Sequence, residues 1–307
     1  MKKYELIVEE EYQNERIDKY ISDVLADFSR SYIQKLISDD NVLLNEKKVK
    51  ASSKVAEGDN VTVFTPDNII PDIIPENIPL DILYEDKDVI VVNKPKDMVV
   101  HPAPGHYEHT LVNAIMYHCG DDLSGINGVL RPGIVHRIDK NTTGSLIICK
   151  NDFSHEYIAE QLKEHSINRY YLAIVEGEID ESEGVINKPI GRSSSDRKKM
   201  AVNVSPSKNA ITHYEVLERF KGYTYIRCKL ETGRTHQIRV HMASINHPVV
   251  GDDLYNSKTP PLKTNGQVLH AHILGFIHPT SKEYIETIAP IPEYFEKLLK
   301  HLRGNNQ

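Results

Sequence analysis

The sequence predicts an α+β protein in two parts, a small N-terminal α/β module followed by a larger domain built on a mixed, largely antiparallel sheet with flanking helices. Three observations carry that expectation. Four prolines fall within TPDNIIPDIIPENIP, Thr65 to Pro79, too many for a helix or a central strand, so the segment reads as an extended linker. Upstream of it, apolar residues recur with a helical period. Downstream, β-branched and aromatic runs outnumber helical segments, and the helices follow the strands too irregularly for a doubly wound parallel fold.

In chain order, Ile17, Tyr20, Ile21, Val24, Leu25 and Phe28 mark one buried helical face. Ser29 then caps a second helix with Ile33, Leu36 and Ile37 inward and Arg30, Gln34 and Lys35 outward. NVLLNEKKVKASSKVAEGDNVTVF supplies short strands separated by polar and Gly-Asp turns. The expected boundaries are 12–65 for this module, 66–79 for the linker and 80–300 for the larger domain. There, Val89 to Val92 form a β-branched strand before Asn-Lys-Pro, and GSLIICK, Gly144 to Lys150, forms another. DFSHEYIAEQLKEHSI reads as a helix with Tyr157, Ile158, Leu162 and Ile167 inward. NRYYLAIVEG, THYEVLERF, YTYIRCKLE and QVLHAHILGF supply further strands.

The 307 residues are 39% hydrophobic and 26% charged, enough apolar material for a real core. No apolar stretch approaches the roughly 18 residues of a membrane span, and the acidic, polar start lacks the apolar run of a secretory signal. A cytoplasmic location is expected. Cys119, Cys149 and Cys228 lie 30 and 79 residues apart, which fits reduced thiols better than a disulfide framework or a CxxC metal site. The net charge of −7 is unevenly distributed: residues 1–79 carry −6, whereas 187–239 hold 12 basic and 4 acidic residues, a net of +8. That stretch is either a phosphate-binding face or a solvated surface.

Four stretches have the composition of a site. VVHPAPGHYEHTLVNAI, from Val99, is a Pro-Gly loop leading into a helix near Thr110. RPGIVHRIDKNTTGSL, Arg131 to Leu146, sets Asp139 in a turn before a strand, where an aspartate most often caps its own turn. In NRYYLAIV, alternation sends Tyr170 and Tyr171 to opposite faces. ETGRTHQIRVHM, Glu231 to Met242, has a turn at Gly233, a helix capped by Thr235, and Arg234 at the helix start, with His236, Arg239 and His241 as further donors. Helix starts bearing arginine bind anions well. His236 and His241, five apart, do not share a helical face, so no metal is expected there.

HRIDKNTTGSLIICK resembles the active-site motif of the RluA/RluD family of ribosomal RNA pseudouridine synthases, with Ile138 where leucine is common. RYYLAIVEG is similar to the family's tyrosine strand and ETGRTHQIRVHMASINHPVVGD to its arginine motif. VVHPAPG, LRPGIVHR and the N-terminal module fit the RluD-like branch. The module itself, through ERIDKYI, SRSYIQKLI, VLLNEKKVK and EGDNVTV, resembles the RNA-binding domain of ribosomal protein S four. Its acidic total departs from that likeness, so RNA contact would fall to Arg30, Lys35, Lys47, Lys48 and Lys50.

The resemblance implies the pseudouridine synthase fold and isomerisation of uridine without metal or redox cofactor, through Asp139 as nucleophile or base. It implies Tyr171 as the residue stacking on a flipped uridine and Arg234 as the partner that keeps Asp139 charged. Arg137, Lys140, His136 and Arg239 stand as substrate-binding candidates in the larger domain, and Arg30 and Lys35 in the smaller. His136 also reads as structural, and Arg137 and Lys140 equally as surface charges. The implied partner is RNA, large-subunit (23S) ribosomal RNA or the pre-ribosomal large subunit, rather than DNA or a membrane, and the chain is expected to be a monomer. A transfer RNA modifier and a catalytically silent RNA-binding factor are the alternatives. A glycosidase would need a second carboxylate motif beside Asp139.

Overall fold

The computed structural model describes residues 1–26, 28–65, 73–102, 106–120, 122–126, 128, 131–196 and 198–304. Internal contacts divide the chain into Met1–Ile70 and Pro71–Gln307. The first half of the proline-rich segment, residues 66–72, lies outside the described residues. Its second half is not a free linker: Ile73 is buried in the core of the larger unit, and the Asn113 side-chain amide donates to the Ile74 carbonyl at 2.8 Å.

The first unit packs helices α1 (Ile17–Val24) and α2 (Arg30–Ser38) on a four-stranded antiparallel sheet. Its strands are β1 (Lys2–Ile7), β2 (Val42–Leu44), β3 (Lys47–Lys48) and β4 (Asn60–Thr65), in the order β1-β4-β2-β3. Ser29 caps α2 as expected, accepting from the Tyr32 amide at 3.3 Å. The sheet begins upstream of residue 12, because Lys2–Ile7 pairs along the whole of β4. Tyr20, Ile21, Ile33, Leu36 and Ile37 are buried as the periodicity predicts, whereas α1 stops at Val24, which is exposed.

The larger unit begins with β5 (Ile82–Glu85), β6 (Val89–Lys94), α3 (Leu111–Cys119), β7 (Thr143–Cys149), α4 (Asp152–Lys163), β8 (Asn168–Glu176) and β9 (Glu183–Asn187). A small sheet of β10 (Ile190–Arg192), β11 (Met200–Val202) and β12 (Ser207–Lys208) follows. The chain returns through β13 (Ile211–Phe220), β14 (Tyr223–Leu230), α5 (Gln237–Ala243), β15 (Leu269–Ile277), β16 (Tyr284–Ile288) and α6 (Glu293–Gly304). The central nine-stranded sheet has the order β5-β6-β7-β15-β8-β14-β13-β9, with β16 also on β15. Its pairings are antiparallel except β7 with β15, so it is the mixed, largely antiparallel sheet expected.

Both faces of the sheet are covered, which explains the unbroken apolar runs. Ile90, Val92, Leu146, Ile148, Tyr171 and Ala173 enter the main core, with α3 and α5. Val89, Val91, Ile147 and Cys149 point the other way onto Ile158 of α4, while Leu172 and Ile174 meet Phe295, Leu298 and Leu302 of α6. Ile167 is buried with Ile158 as expected but lies beyond the end of α4, in the approach to β8, and Tyr157 is only half-buried, its ring stacked on exposed Phe153. Gly144 is required where β7 meets β15: with φ at +109°, a Cβ there would sit 2.1 Å from the Ala271 carbonyl oxygen.

Candidate active site

A cavity of about 610 Å³ opens on the face of the sheet that carries Tyr171, within the size range of pockets for small ligands. Among the described residues, its lining contains six cations, Arg131, Arg137, Lys163, Arg169, Arg234 and Arg239, and one carboxylate, Asp139. A pocket so charged in a chain of net −7 suits an anionic ligand. Only Arg234 and Arg239 come from the basic stretch 187–239. The fold gathers the others from the turn before β7, from α4 and from β8.

Asp139 is held by the fold rather than by its own turn. Its main-chain carbonyl accepts from the Thr142 amide, and its carboxylate points away to accept from Arg239 Nη1 at 2.9 Å. The side chain keeps 18% of its surface exposed, toward the cavity. An Asx cap would turn the carboxylate onto the turn's amides, and none of the described amides donates to it. His236 Nε2 lies 3.8 Å from its other oxygen.

The guanidinium beside Asp139 is that of Arg239, not Arg234, and this corrects the pairing expected from the sequence. Arg239, on α5 and only 4% exposed, also donates from Nε and Nη2 to Asp252 at 2.6 and 2.8 Å. Burial works against its charge, yet Asp252 and then Asp139 raise its pKa above the ordinary arginine value. Arg239 is therefore hydrogen-bonded to two carboxylates, with the exposed Asp253 a further 3.7 Å from Nη2, and is not a free substrate-binding donor. Arg234 lines the cavity, but its Nε donates to the Asn209 carbonyl. Thr235 does not cap α5. His236 stands at the N-cap in the left-handed region, with φ at +57°, and its Nδ1 bonds the Tyr255 hydroxyl at 2.9 Å. Both ring nitrogens of His241 are engaged by Thr212 and the Lys188 carbonyl, so it offers no ligand atom to a metal.

Tyr171 forms part of the cavity wall, and strand alternation sends Tyr170 to the opposite face, beside Arg227 and Lys229. Burial, and to a smaller degree the charge of Asp139, raises the Tyr171 phenol's pKa, while Arg169 acts in the other direction. His136 is fixed by the fold: its Nε2 accepts from the Ile147 amide at 3.1 Å, and burial together with Arg169 pushes its pKa down to about 3. It is neutral at neutral pH. Arg137 is exposed at the mouth of the cavity, whereas Lys140 is occupied by Asp97 at 2.9 Å in a surface pair.

Several residues that shape this site were not singled out from the sequence. Lys94, in the Asn-Lys-Pro stop of β6, is 1% exposed and donates to the carbonyls of Pro95, Met98 and Lys140 at 2.7 to 3.0 Å. It thereby pins the main chain next to Asp139. Burial pushes its pKa down to about 7, against the pull of Asp139. His101, in the VVHPAPG loop whose residues 103–105 lie outside the described ones, lines the cavity, and burial lowers its pKa to about 4. Asp252 was visible only as the last residue of the HPVVGD run.

In the first unit, Arg30 donates from Nε and Nη2 to Asp18, which is fully buried and also bound by Arg16 and Gln34. These partners, outweighing burial, hold the Asp18 carboxyl far below the usual carboxylate range. Arg30 is thus part of the unit's framework, although half of it remains exposed. Lys48 pairs with Asp40, and Lys35 is exposed on α2.

Residues 88–244 match the family model described as RNA pseudouridylate synthase, and residues 15–61 match that of the S4 domain. The chain belongs to the RNA pseudouridine synthase family and is an isomerase. It is 50% identical over 308 residues to the uncharacterized RNA pseudouridine synthase YlyB of Bacillus subtilis (strain 168), covering 99% of this chain and 100% of that protein. It is 47% identical over 216 residues, 68% of each chain, to the ribosomal large subunit pseudouridine synthase D of Zymomonas mobilis subsp. mobilis. Human RNA Pseudouridylate Synthase Domain Containing 1 shares its fold with a TM-score of 0.56 and 26% identity, over 74% of this chain and 96% of that one. Among the described residues no helix is long and apolar enough to cross a membrane.

Proposed function

We propose that this enzyme converts uridine to pseudouridine in large-subunit ribosomal RNA, through Asp139 and with no metal or redox cofactor. The observation that carries the reading is the lone carboxylate of Asp139, partly open to a cavity otherwise lined by six cations. The reaction breaks the bond between N1 of uracil and C1′ of ribose, rotates the base and rejoins it through C5. A proton leaves C5 and another arrives at N1, so the change is redox-neutral.

Asp139 either attacks C1′, attacks C6 of uracil or removes the ribose 2′ proton, and every route starts from an ionised carboxylate. Arg239 orients it. Tyr171 supports the flipped base and stands by to accept the C5 proton. Arg137 and Arg131 at the mouth meet RNA phosphates, where cations fix position without reading sequence. The S4 domain adds grip through Lys35, Lys47 and Lys50. The ribosomal substrate is supported by the name of the Zymomonas relative.

Pseudouridine mapping of RNA from cells with and without the gene tests the substrate. Loss of sites confined to large-subunit ribosomal RNA is expected. Loss confined to transfer RNA would move the enzyme to that substrate, and no loss anywhere would overturn the activity for this chain.

A further inference from the structure

The cavity contains a buried cation with no carboxylate paired to it among the described residues. Arg169 precedes Tyr171 by two positions on β8, so both side chains take the same face, and both line the cavity. Arg169 is 6% exposed, yet none of the described carboxylates pairs with it. Its Nη2 donates to the Glu231 carbonyl at 3.0 Å. Its Nε is sealed from solvent without an acceptor among the described residues. Its Nη1 lies so near Gly233 that a Cβ there would be 2.7 Å away, so glycine at this turn leaves room for the guanidinium. Arg239, buried to a similar degree, is hydrogen-bonded to two carboxylates and has a third, Asp253, at 3.7 Å. Burying an uncompensated charge is unfavourable, and burial does lower the pKa of Arg169.

We propose that Arg169 is the cation that receives the departing uracil, donating to a ring carbonyl oxygen as negative charge collects on the base. This rests on the pseudouridine reading. When N1–C1′ breaks, the electron pair stays with N1 and spreads over the two carbonyl oxygens. C1′ is captured by the Asp139 carboxylate, or C2′ gives its proton to that carboxylate, depending on the route. C5 then attacks C1′ with that pair as the Asp139–C1′ bond breaks or, in the other route, as the proton returns to C2′; the C5 proton leaves, and N1 is protonated. Until C5 attacks, the detached ring is the anion of the pocket, because Asp139 has been neutralised as an ester or by the 2′ proton. A fixed guanidinium in a water-poor site stabilises such charge far more than water does, because its orientation costs nothing at the moment of reaction.

The test replaces Arg169 by methionine and, separately, by lysine. Loss of one donor aimed at developing charge typically lowers kcat by about 100- to 1,000-fold. Arg169→Met should fall in that range with KM within about threefold of the parent, and Arg169→Lys should recover part of the loss. A structural role predicts instead a lower melting temperature with kcat retained by the folded fraction. Should Arg169→Met lose cooperative melting, Arg169→Gln carries the same comparison.

A second measurement needs no turnover. The free base 5-nitrouracil, an anion at neutral pH, should bind the parent at least about tenfold more tightly than Arg169→Met, while neutral uracil binds both alike. Full kcat in a folded Arg169→Met, or equal affinity for 5-nitrouracil, overturns the assignment. A parent that forms no pseudouridine in any RNA but keeps the 5-nitrouracil difference would sink the reaction and leave the anion site standing.

Discussion

Arg239 links the candidate nucleophile to the fold, and its replacement separates stability from chemistry. In Arg239→Met, Asp252 loses two hydrogen bonds of 2.6 and 2.8 Å while its side chain remains fully buried. An unpaired buried carboxylate costs about 3–5 kcal/mol. The Leu254 and Tyr255 amides that still donate to Asp252 at 3.0 and 3.2 Å should hold the loss near the lower end. The double variant Arg239→Met/Asp252→Leu removes the stranded charge and should regain most of that stability, as apolar replacements of buried ion pairs do. It should not regain activity, because Asp139 still lacks its 2.9 Å donor. Arg234→Met loses only a half-exposed bond to a carbonyl, worth about 1 kcal/mol. Urea unfolding and release of tritium from uracil C5 read the two properties. A single variant within about 1 kcal/mol of the parent, or an active double variant, refutes the reasoning.

Tyr171→Phe keeps the stacking surface and loses the hydroxyl, so it should bind RNA normally and turn over slowly, with Tyr170→Phe near parental. Single-turnover rates in the reverse order would show that the wrong tyrosine faces the base. His101 has a folded pKa of about 4, below its unfolded value of 6.5. The unfolded state therefore binds the extra proton first, and the stability from the neutral ring, present above pH 6.5, is lost as pH falls toward 4. Between pH 7 and pH 5 this withdraws about 2 kcal/mol, so the parent should lose that much more stability than His101→Asn on acidification. Parallel curves would rule it out. Deleting residues 1–70 should leave a cooperatively melting protein that turns over saturating RNA but has a raised KM and a weaker salt dependence of binding. Loss of cooperative melting would contradict this.

Strands buried on both faces were legible because VIVV and LIIC admit little else, and Ser29 marked a helix start through capping chemistry, whereas Thr235, read the same way, does not cap α5. The parity of Tyr170 and Tyr171 followed from strand alternation. The same parity put Arg169 beside Tyr171, a signal that was present but unused. β1 was missed because its alternation, KKYELI, is short and charged and becomes a strand only by pairing with β4. The choice between Arg234 and Arg239 was not decidable locally. The helix-start rule favours Arg234, while the outcome depends on how α5 packs and on Asp252, which reaches Arg239 only in the fold. The basic window 187–239 could not decide between a phosphate-binding face and a solvated surface for a related reason: the cavity's cations are assembled from separate segments.

The most direct test of the account is tritium release from RNA labelled at uracil C5 by the Asp139→Asn protein. The amide preserves the shape of the side chain, and the turn's own bond runs from the Thr142 amide to the Asp139 carbonyl, which the substitution leaves in place. The variant should therefore fold and bind substrate RNA within about tenfold of the parent, equivalent to about 1.4 kcal/mol. A neutral amide cannot attack carbon or take the 2′ proton, so no release above background is expected. Substantial release from a well-folded Asp139→Asn protein would contradict the central role of this carboxylate.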